Sequence, residues 1–204
     1  MISVRLSTPQ SIVIIPTGAG EPQILKTPQI VSFGEASWLP GGKEIAYLGT
    51  AQGAGHPVGL YIQSVAEGLP RLVAVGLSAG SFAYRLVAPD GKTAITPDAN
   101  GVLTIVPLDG GPQKPVAGVD VGDHPMHWSP DGKYFYFVRS KPPRAQVMKL
   151  ELATGRVDLW KEIGPADPAG IVDIYAVHIA DDRRSYYYSY TRILNDLYMV
   201  GGLK

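Results

Sequence analysis

The chain has 204 residues, of which 45% are hydrophobic and 18% are charged, and its 18 Lys and Arg residues balance its 18 Asp and Glu residues. A chain without net charge lacks the basic excess that binds nucleic acid or an anionic membrane, so we expect neither partner. The absence of cysteine excludes disulfides and thiolate chemistry, and the apolar runs are too short for a signal-peptide core or a membrane span, so we expect a globular domain without membrane insertion.

The first strand-like segments belong to a repeat. The segment from Ser11 has the pattern of a strand, a Gly-bearing turn and a second strand, and similar segments start at Gly59, Val102 and Gln146, with a last partial copy from Asn195. Successive copies are roughly 45 residues apart, which is the length of one propeller blade.

A second motif recurs with the same period. WLPGGKEIAYLG from Trp38, VAPDGKTAITPD from Val87 and WSPDGKYFYFVR from Trp128 share a Pro-Asp-Gly-Lys pattern, and IADDRRSYYYSY from Ile179 is a degraded fourth copy. Proline presets the first corner of a type I turn, Asp can bond its own backbone, and Gly adopts the left-handed conformation, so the motif predicts a hairpin. The first copy has Gly in place of Asp, and the last has Asp-Asp-Arg in place of Pro-Asp-Gly. Because of these two changes, the sequence does not determine how tight those two hairpins are.

The strands after these turns are apolar on both faces. Tyr134, Tyr136 and Val138 point to one side of their strand, whereas Phe135 and Phe137 point to the other. A sheet with one solvated face would have a polar residue at every second position, so neighbouring sheets must cover both faces here. The sequence therefore predicts an all-β fold, a β-propeller of four-stranded antiparallel blades.

The repeat markers divide the chain into blades within one domain, 1–204. We expect about four to five blades with incomplete ends, either as a small ring or as a fragment of a larger one. Unpaired edge strands in an open arrangement would favour self-association. Asp196–Val200 has the pattern of a third strand in the last blade. The predicted segments are a blade remnant at 1–26, blades at 27–74, 75–117 and 118–162, and an incomplete last blade at 170–204.

The repeat WSPDGKYFYFVRS, followed by a third strand and a Gly turn, resembles the TolB-type, WD-like propeller repeat. The C-terminal run YYYSYTRILNDLYMVGGLK is similar to the last repeat of propellers that follow bacterial serine/threonine protein kinase domains. This resemblance covers nearly the whole chain and implies a non-catalytic sensor or interaction module outside the cytoplasm, with a protein or small-molecule partner. The sequence has no Gly-rich kinase loop, HRD-type loop or DFG motif, so no phosphotransfer residue is implied.

The same repeat type also occurs in the substrate-gating propeller of prolyl-oligopeptidase-like serine peptidases. In those proteins a separate α/β-hydrolase domain performs catalysis, and no such domain fits within 204 residues. A gating propeller is therefore the alternative function.

Two glycine-containing motifs resemble catalytic or cofactor signatures. The segment from Gly76 to Gly80 matches GxSxG with Ser78 as the nucleophile, but the signature requires a helix after the serine, and a strand is predicted there. Gly18-Ala19-Gly20 is half of a dinucleotide fingerprint without its third glycine or its helix. We expect a connector and a hairpin turn at these places, and neither a catalytic residue nor a cofactor.

Asp123, His124 and His127 form a compact group of residue types that bind metals, with His178 one repeat later as a further donor. Residues three apart on a strand point to opposite faces, so a shared ion would need a bend near Pro125. We expect no metal here; we expect His127, just before Trp128, to be a packing residue and His124 to line a loop.

Four tyrosines lie close together near the C-terminus. Alternation places Tyr186, Tyr188 and Tyr190 on one face and Tyr187 on the other, which predicts packing between blades rather than a stacking platform for a ligand.

The loops that enter the inner strands surround the channel of a propeller, where a ligand would bind. By repeat position, Asp123, His124, Asp173 and Tyr175 are the candidate ligand-binding residues.

Overall fold

The structure is a computed structural model. It describes residues 1–5, 9–53, 55–80, 85–180 and 185–195. These residues form strands, turns and loops but no helix, and therefore no helix that could span a membrane.

The described residues form five antiparallel sheets that follow one another along the chain. The first has three strands paired in chain order. The second has four strands, also paired in chain order, so each strand bonds to the next through a hairpin. The strands of these two sheets are β1 (Ile2–Arg5), β2 (Ser11–Ile14) and β3 (Gln23–Ile24), then β4 (Ile30–Trp38), β5 (Glu44–Ala51), β6 (Val58–Ser64) and β7 (Arg71–Leu77).

The remaining three sheets repeat this hairpin order with different strand numbers. The third has three strands, the fourth has four and the fifth has two. Their strands are β8 (Thr93–Pro97), β9 (Leu103–Pro107) and β10 (Lys114–Pro115), then β11 (His124–Trp128), β12 (Tyr134–Lys141), β13 (Arg144–Glu151) and β14 (Arg156–Ile163), and finally β15 (Ile171–Ile179) and β16 (Tyr186–Arg192).

The third sheet has a short substitute for its predicted inner strand. The Ala88 N–H donates to the Thr93 carbonyl at 2.8 Å, and the Ile95 N–H donates to the Leu86 carbonyl at 3.1 Å. Val87 forms a single bridge with Ala94. Residues 81–84, the first part of the predicted inner strand, lie outside the described residues.

The repeated turns form as their chemistry predicts. Gly91 and Gly132 have φ of 70° and 69°, the left-handed conformation that glycine adopts without steric cost. Asp90 and Asp131 each accept a bond at Oδ1 from the N–H two residues later, at 2.9 and 3.2 Å. In the first copy of the motif, where Gly41 replaces Asp, the turn still joins β4 and β5 in an antiparallel hairpin.

Each pair of successive sheets encloses one apolar core. Phe135 and Phe137 belong to the core between the third and fourth sheets, whereas Tyr136 and Val138 belong to the core between the fourth and fifth. The alternation read from the sequence is therefore confirmed, because one strand supplies side chains to two different cores. Equivalent cores join the first sheet to the second and the second to the third.

The inner strands lie side by side around one axis. The Leu86 N–H donates to Ser37 Oγ at 3.0 Å, and the Arg85 N–H donates to the Met126 carbonyl at 3.2 Å. These bonds join the inner segments of the second, third and fourth sheets. Sheets stacked face to face with their first strands around a common axis form a β-propeller, which confirms the predicted fold class.

The C-terminal tyrosines differ from the prediction. Tyr186, Tyr188 and Tyr190 do share a face, with ring centroids 6.3 and 6.1 Å apart. However, Tyr186, Tyr187 and Tyr190 are exposed, and only Tyr188 packs against the core beside the fourth sheet. The expectation of a buried cluster was wrong: Tyr187 lies on the face that no further described sheet covers, and Tyr186 and Tyr190 are exposed on either side of Tyr188 on the other face.

The outer edge of the fifth sheet is β16, which pairs with β15 and with no other described strand. Asp196–Val200, predicted as the next strand, and the degraded turn at 181–184 lie outside the described residues. Self-association through an open edge stays a prediction.

The core between sheets can be tested at Phe135, whose side chain is fully buried. Phe135→Ala should lower the free energy of unfolding by about 3–5 kcal/mol, because it leaves a cavity between two sheets. Urea denaturation followed by circular dichroism measures the change. The control is Leu69→Ala at a side chain that is 76% exposed, where a change within about 0.5 kcal/mol is expected. Equal losses in the two variants would contradict the sandwiched-sheet arrangement.

Candidate functional site

A cleft of about 680 Å³ opens where the inner strands end. Its walls come from corresponding positions of three repeat copies, because each copy places the end of its inner strand and the following proline at the same place. The first sheet adds Met1 and Ile2. The copies contribute the segments 38–40, 87–89 and 128–130.

The two tryptophans in the walls are held by packing. Trp128 is buried, its indole N–H donates to the Leu86 carbonyl at 3.3 Å, and its ring meets Phe135 edge-on with centroids 5.1 Å apart. Trp38 ends β4 and packs half-buried against the core between the first two sheets. The cleft therefore has apolar aromatic walls that are formed before any ligand arrives.

Arg85 lies at the rim of the cleft and carries the only basic side chain in its lining among the described residues. It also lines a second cavity of about 390 Å³, next to His178, Ser185 and Tyr187. His178 stacks on Tyr187 with centroids 4.7 Å apart, and burial lowers the pKa of His178 below its ordinary value. Arg85 thus lines both cavities.

The predicted site residue Asp123 lies at the other end of β11 from the cleft. It is buried and receives two bonds from Arg139, Nε to Oδ1 at 3.0 Å and Nη2 to Oδ2 at 2.7 Å. The exposed Asp120 contacts the same guanidinium at 3.0 Å. Hydrogen bonding to Asp123 raises the pKa of Arg139. The Asp123 carboxylate also accepts a bond from the Asp120 N–H at 2.8 Å, so it holds the loop that enters β11 in place.

Asp173 is also engaged within the protein. Its Oδ1 accepts a bond from Ser140 Oγ at 2.9 Å, which joins the fourth sheet to the fifth, and another from the Ile174 N–H at 2.8 Å. Tyr175 is partly exposed on the fifth sheet, and His124 is half-buried at the start of β11. None of these residues lines the described cleft, and their role in binding a ligand stays a prediction.

The structure does not assemble the histidine group into a metal site. The His127 ring stacks on Tyr136 with centroids 5.1 Å apart, while Asp123 is held by Arg139. Within the described ranges, no group of three or more His, Asp or Glu side chains is placed to hold a metal ion.

Ser78 lies in the connection that follows β7. Its backbone N–H donates to the Pro97 carbonyl at 2.9 Å, and the described residues after it form no helix. Gly18-Ala19-Gly20 lies in the hairpin between β2 and β3, as expected. Among the described residues, neither motif has the neighbouring helix that its chemistry requires.

Sequence reasoning missed the cleft and Arg85. The available signal was the tryptophan that precedes the turn in two repeat copies, Trp38 and Trp128. The sequence pattern does not show at which end of the inner strands a cleft forms, because this depends on how the turns pack against one another.

No family model matches this sequence, and no curated protein matches it. Solved structures do. A TolB candidate from Agrobacterium tumefaciens is 16% identical with a TM-score of 0.63, and the match covers 94% of this chain and 70% of that one. TolB from Acinetobacter baumannii is 20% identical, also with a TM-score of 0.63, and the match covers 92% of this chain and 45% of that one.

A prolyl endopeptidase structure is also similar, at 18% identity and a TM-score of 0.56. The match covers 79% of this chain but 26% of the peptidase. The chain thus has a TolB-like propeller fold, and at these identities the likeness concerns the fold.

The ion pair at the start of β11 gives a stability prediction. The Asp123 side chain is 2% exposed, so Asp123→Ala leaves Arg139 without its buried partner, and we expect a loss of about 3–5 kcal/mol in the free energy of unfolding. Chemical denaturation measures it. The matched control is Asp120→Ala, which removes a carboxylate that is 66% exposed from the same guanidinium and should cost under about 1 kcal/mol. A small effect of Asp123→Ala would show that this carboxylate is free for another role.

Proposed function

We propose that the chain is a non-catalytic propeller module that binds a protein or small-molecule ligand in its central cleft. The observation that carries the proposal is the convergence of three repeat copies on one cavity with apolar aromatic walls. A volume of about 680 Å³ is within the range of ordinary ligand pockets.

The walls also favour recognition over catalysis. The described lining includes no Asp, Glu or His, the residue types that most often transfer protons in active sites. A rigid cleft of indole and proline side chains binds apolar groups at a low entropic cost, because Trp128 is already held by a hydrogen bond and an aromatic contact.

We propose a second contact region at the opposite end of the inner strands, where the sequence placed Asp123, His124, Asp173 and Tyr175. The two carboxylates accept intramolecular bonds, so they would act there by holding the loops. Tyr175, which is 37% exposed, would be the member that touches a ligand.

On the resemblance of the C-terminal run, we further propose that the module senses or binds its ligand as part of a bacterial serine/threonine kinase-like protein, outside the cytoplasm. The predicted blade boundaries at 27–74, 75–117 and 118–162 belong to this proposal. The alternative, a gating propeller of a serine peptidase, is supported by the prolyl endopeptidase neighbour. A kinase and a membrane span encoded upstream would favour the first function, and an α/β-hydrolase segment downstream would favour the second.

Binding in the cleft can be read directly from the three tryptophans of the chain. Trp38 and Trp128 line the cleft, whereas Trp160 packs between the fourth and fifth sheets against Tyr136. In nitrogen–proton correlation spectra recorded during a screen of short peptides and aromatic fragments, binders should shift the indole signals of Trp38 and Trp128 and leave that of Trp160 unchanged.

Trp160 thus serves as an internal control that needs no substitution. Binders that shift only the Trp160 signal, or only signals near Tyr175, would move the site away from the cleft. A complete screen without any shift of Trp38 or Trp128 would contradict the proposed function.

The non-catalytic assignment can be tested at Ser78. A fluorophosphonate probe, which labels activated serines, should leave the protein unlabelled, because the described residues after Ser78 do not form the helix of a nucleophile elbow. The readout is intact mass, with a known serine hydrolase as the positive control. Labelling that disappears in Ser78→Ala would overturn the assignment.

A further inference from the structure

We infer that the central cleft selects ligands that carry a carboxylate on an apolar body, with Arg85 binding the carboxylate. This inference rests on the proposed binding function of the cleft and adds the chemical class of the ligand.

The position of Arg85 is set by the backbone. Its N–H donates to the Met126 carbonyl at 3.2 Å, which ties the residue to the neighbouring inner strand. Its side chain is exposed and lines both the large cleft and the smaller cavity beside His178. A ligand seated in the cleft therefore reaches the guanidinium without rearrangement of the inner strands.

The charge of Arg85 is not balanced by the described surroundings. Arg139, Arg156 and Arg192 each contact an aspartate at 3.0 Å or less. For Arg85 no acidic side chain lines either cavity among the described residues. Among the described residues that line the two cavities, Arg85 is thus the one cationic side chain without an acidic neighbour, while the α-amino group of Met1, which also lines the cleft, donates to the Ile15 carbonyl at 2.7 Å.

The neighbouring polar groups are suited to an anion. Ser185 and Tyr187 in the smaller cavity have hydroxyl groups that can donate, and His178 adds a ring nitrogen. Guanidinium groups bind carboxylates through two parallel hydrogen bonds, which are roughly twice as strong as neutral ones.

The rest of the cleft selects an apolar, singly charged ligand. Trp38, Val87 and Trp128 line the volume next to the guanidinium, so a ligand has to bury apolar surface there. One cation compensates one negative charge, and a second charge would stay unpaired beside apolar walls, which is costly. A monoanionic carboxylate fits these conditions better than a phosphate.

A carboxylate on an apolar body can come from a free aromatic acid or from the C-terminus of a peptide that ends in an apolar residue. Two probe pairs distinguish these sources. The first pair is 3-phenylpropionate and 3-phenylpropanamide, and the second is the N-acetylated peptide Gly-Gly-Phe with a free or an amidated C-terminus. Each pair differs only in the charge presented to Arg85.

The experiment titrates each probe into the full chain and follows the indole signals of Trp38 and Trp128. At least one acid should bind roughly ten-fold or more tightly than its amide, since a charge-assisted bond is lost in the amide. Arg85→Gln should weaken that acid to the level of its amide while leaving the affinity for the amide unchanged. Arg85→Lys, which keeps the charge and loses the planar fork, should fall between the two.

The matched control is Arg144→Gln. Arg144 is exposed at the start of β13, lines neither cavity, and its replacement changes the net charge by the same amount. It should leave every affinity unchanged. An unchanged Trp160 signal and melting temperature establish that the variants are folded.

Several outcomes would overturn the inference. If acid and amide bind equally, or if Arg144→Gln weakens the acid as much as Arg85→Gln does, the cleft does not select a carboxylate through Arg85, while the proposed binding function stands. If none of the probes shifts the signals of Trp38 or Trp128, the inference fails; only the wider ligand screen then decides whether the cleft binds ligands at all.

Discussion

The burial of both faces of every inner sheet is the constraint on which the rest of the structure depends. Strands such as β5 and β12 carry apolar side chains in both directions, so neither face can meet water. Each sheet must therefore be covered twice, and successive sheets provide the covers through four separate cores. Because every sheet also twists, stacking them leads to rotation around an axis rather than to a flat pile. In the last sheet, one face is not covered by any described sheet, and Tyr187 on that face is 65% exposed.

The central cleft is a consequence of this rotation. The innermost segments of the second, third and fourth sheets lie side by side, and each of them leads into the same kind of turn. Three copies therefore bring the same positions to one cavity, where Trp38 and Trp128 form walls. Nothing in the local chemistry of a Pro-Asp-Gly turn favours a ligand. The cavity arises because the turns are arranged around an axis, and its character follows from the residues that precede the prolines.

The charged groups near the two ends of the inner strands divide into two classes. At one end, carboxylates hold the architecture: Asp123 binds Arg139, and Asp173 accepts a bond from Ser140 of the neighbouring sheet. At the other end Arg85 has no acidic neighbour among the described lining residues. A buried, paired carboxylate contributes to the stability of the loop around it, whereas an exposed, unbalanced cation is available to a ligand. Residue type alone does not make this distinction, because an aspartate in a loop can either hold the loop or bind a ligand.

The sequence by itself determined the repeat, the hairpin turns and the alternation that places Phe135 and Tyr136 in different cores. These are local properties: a turn depends on three or four adjacent residues, and the face of a strand depends on a period of two. Only the tertiary structure decided that Asp123 is buried against Arg139, that Tyr186, Tyr187 and Tyr190 are exposed, and that Arg85 lines two cavities. Those properties depend on which distant segments meet, and residues such as Arg85 and His178 share a cavity through the packing of sheets that are far apart in the chain.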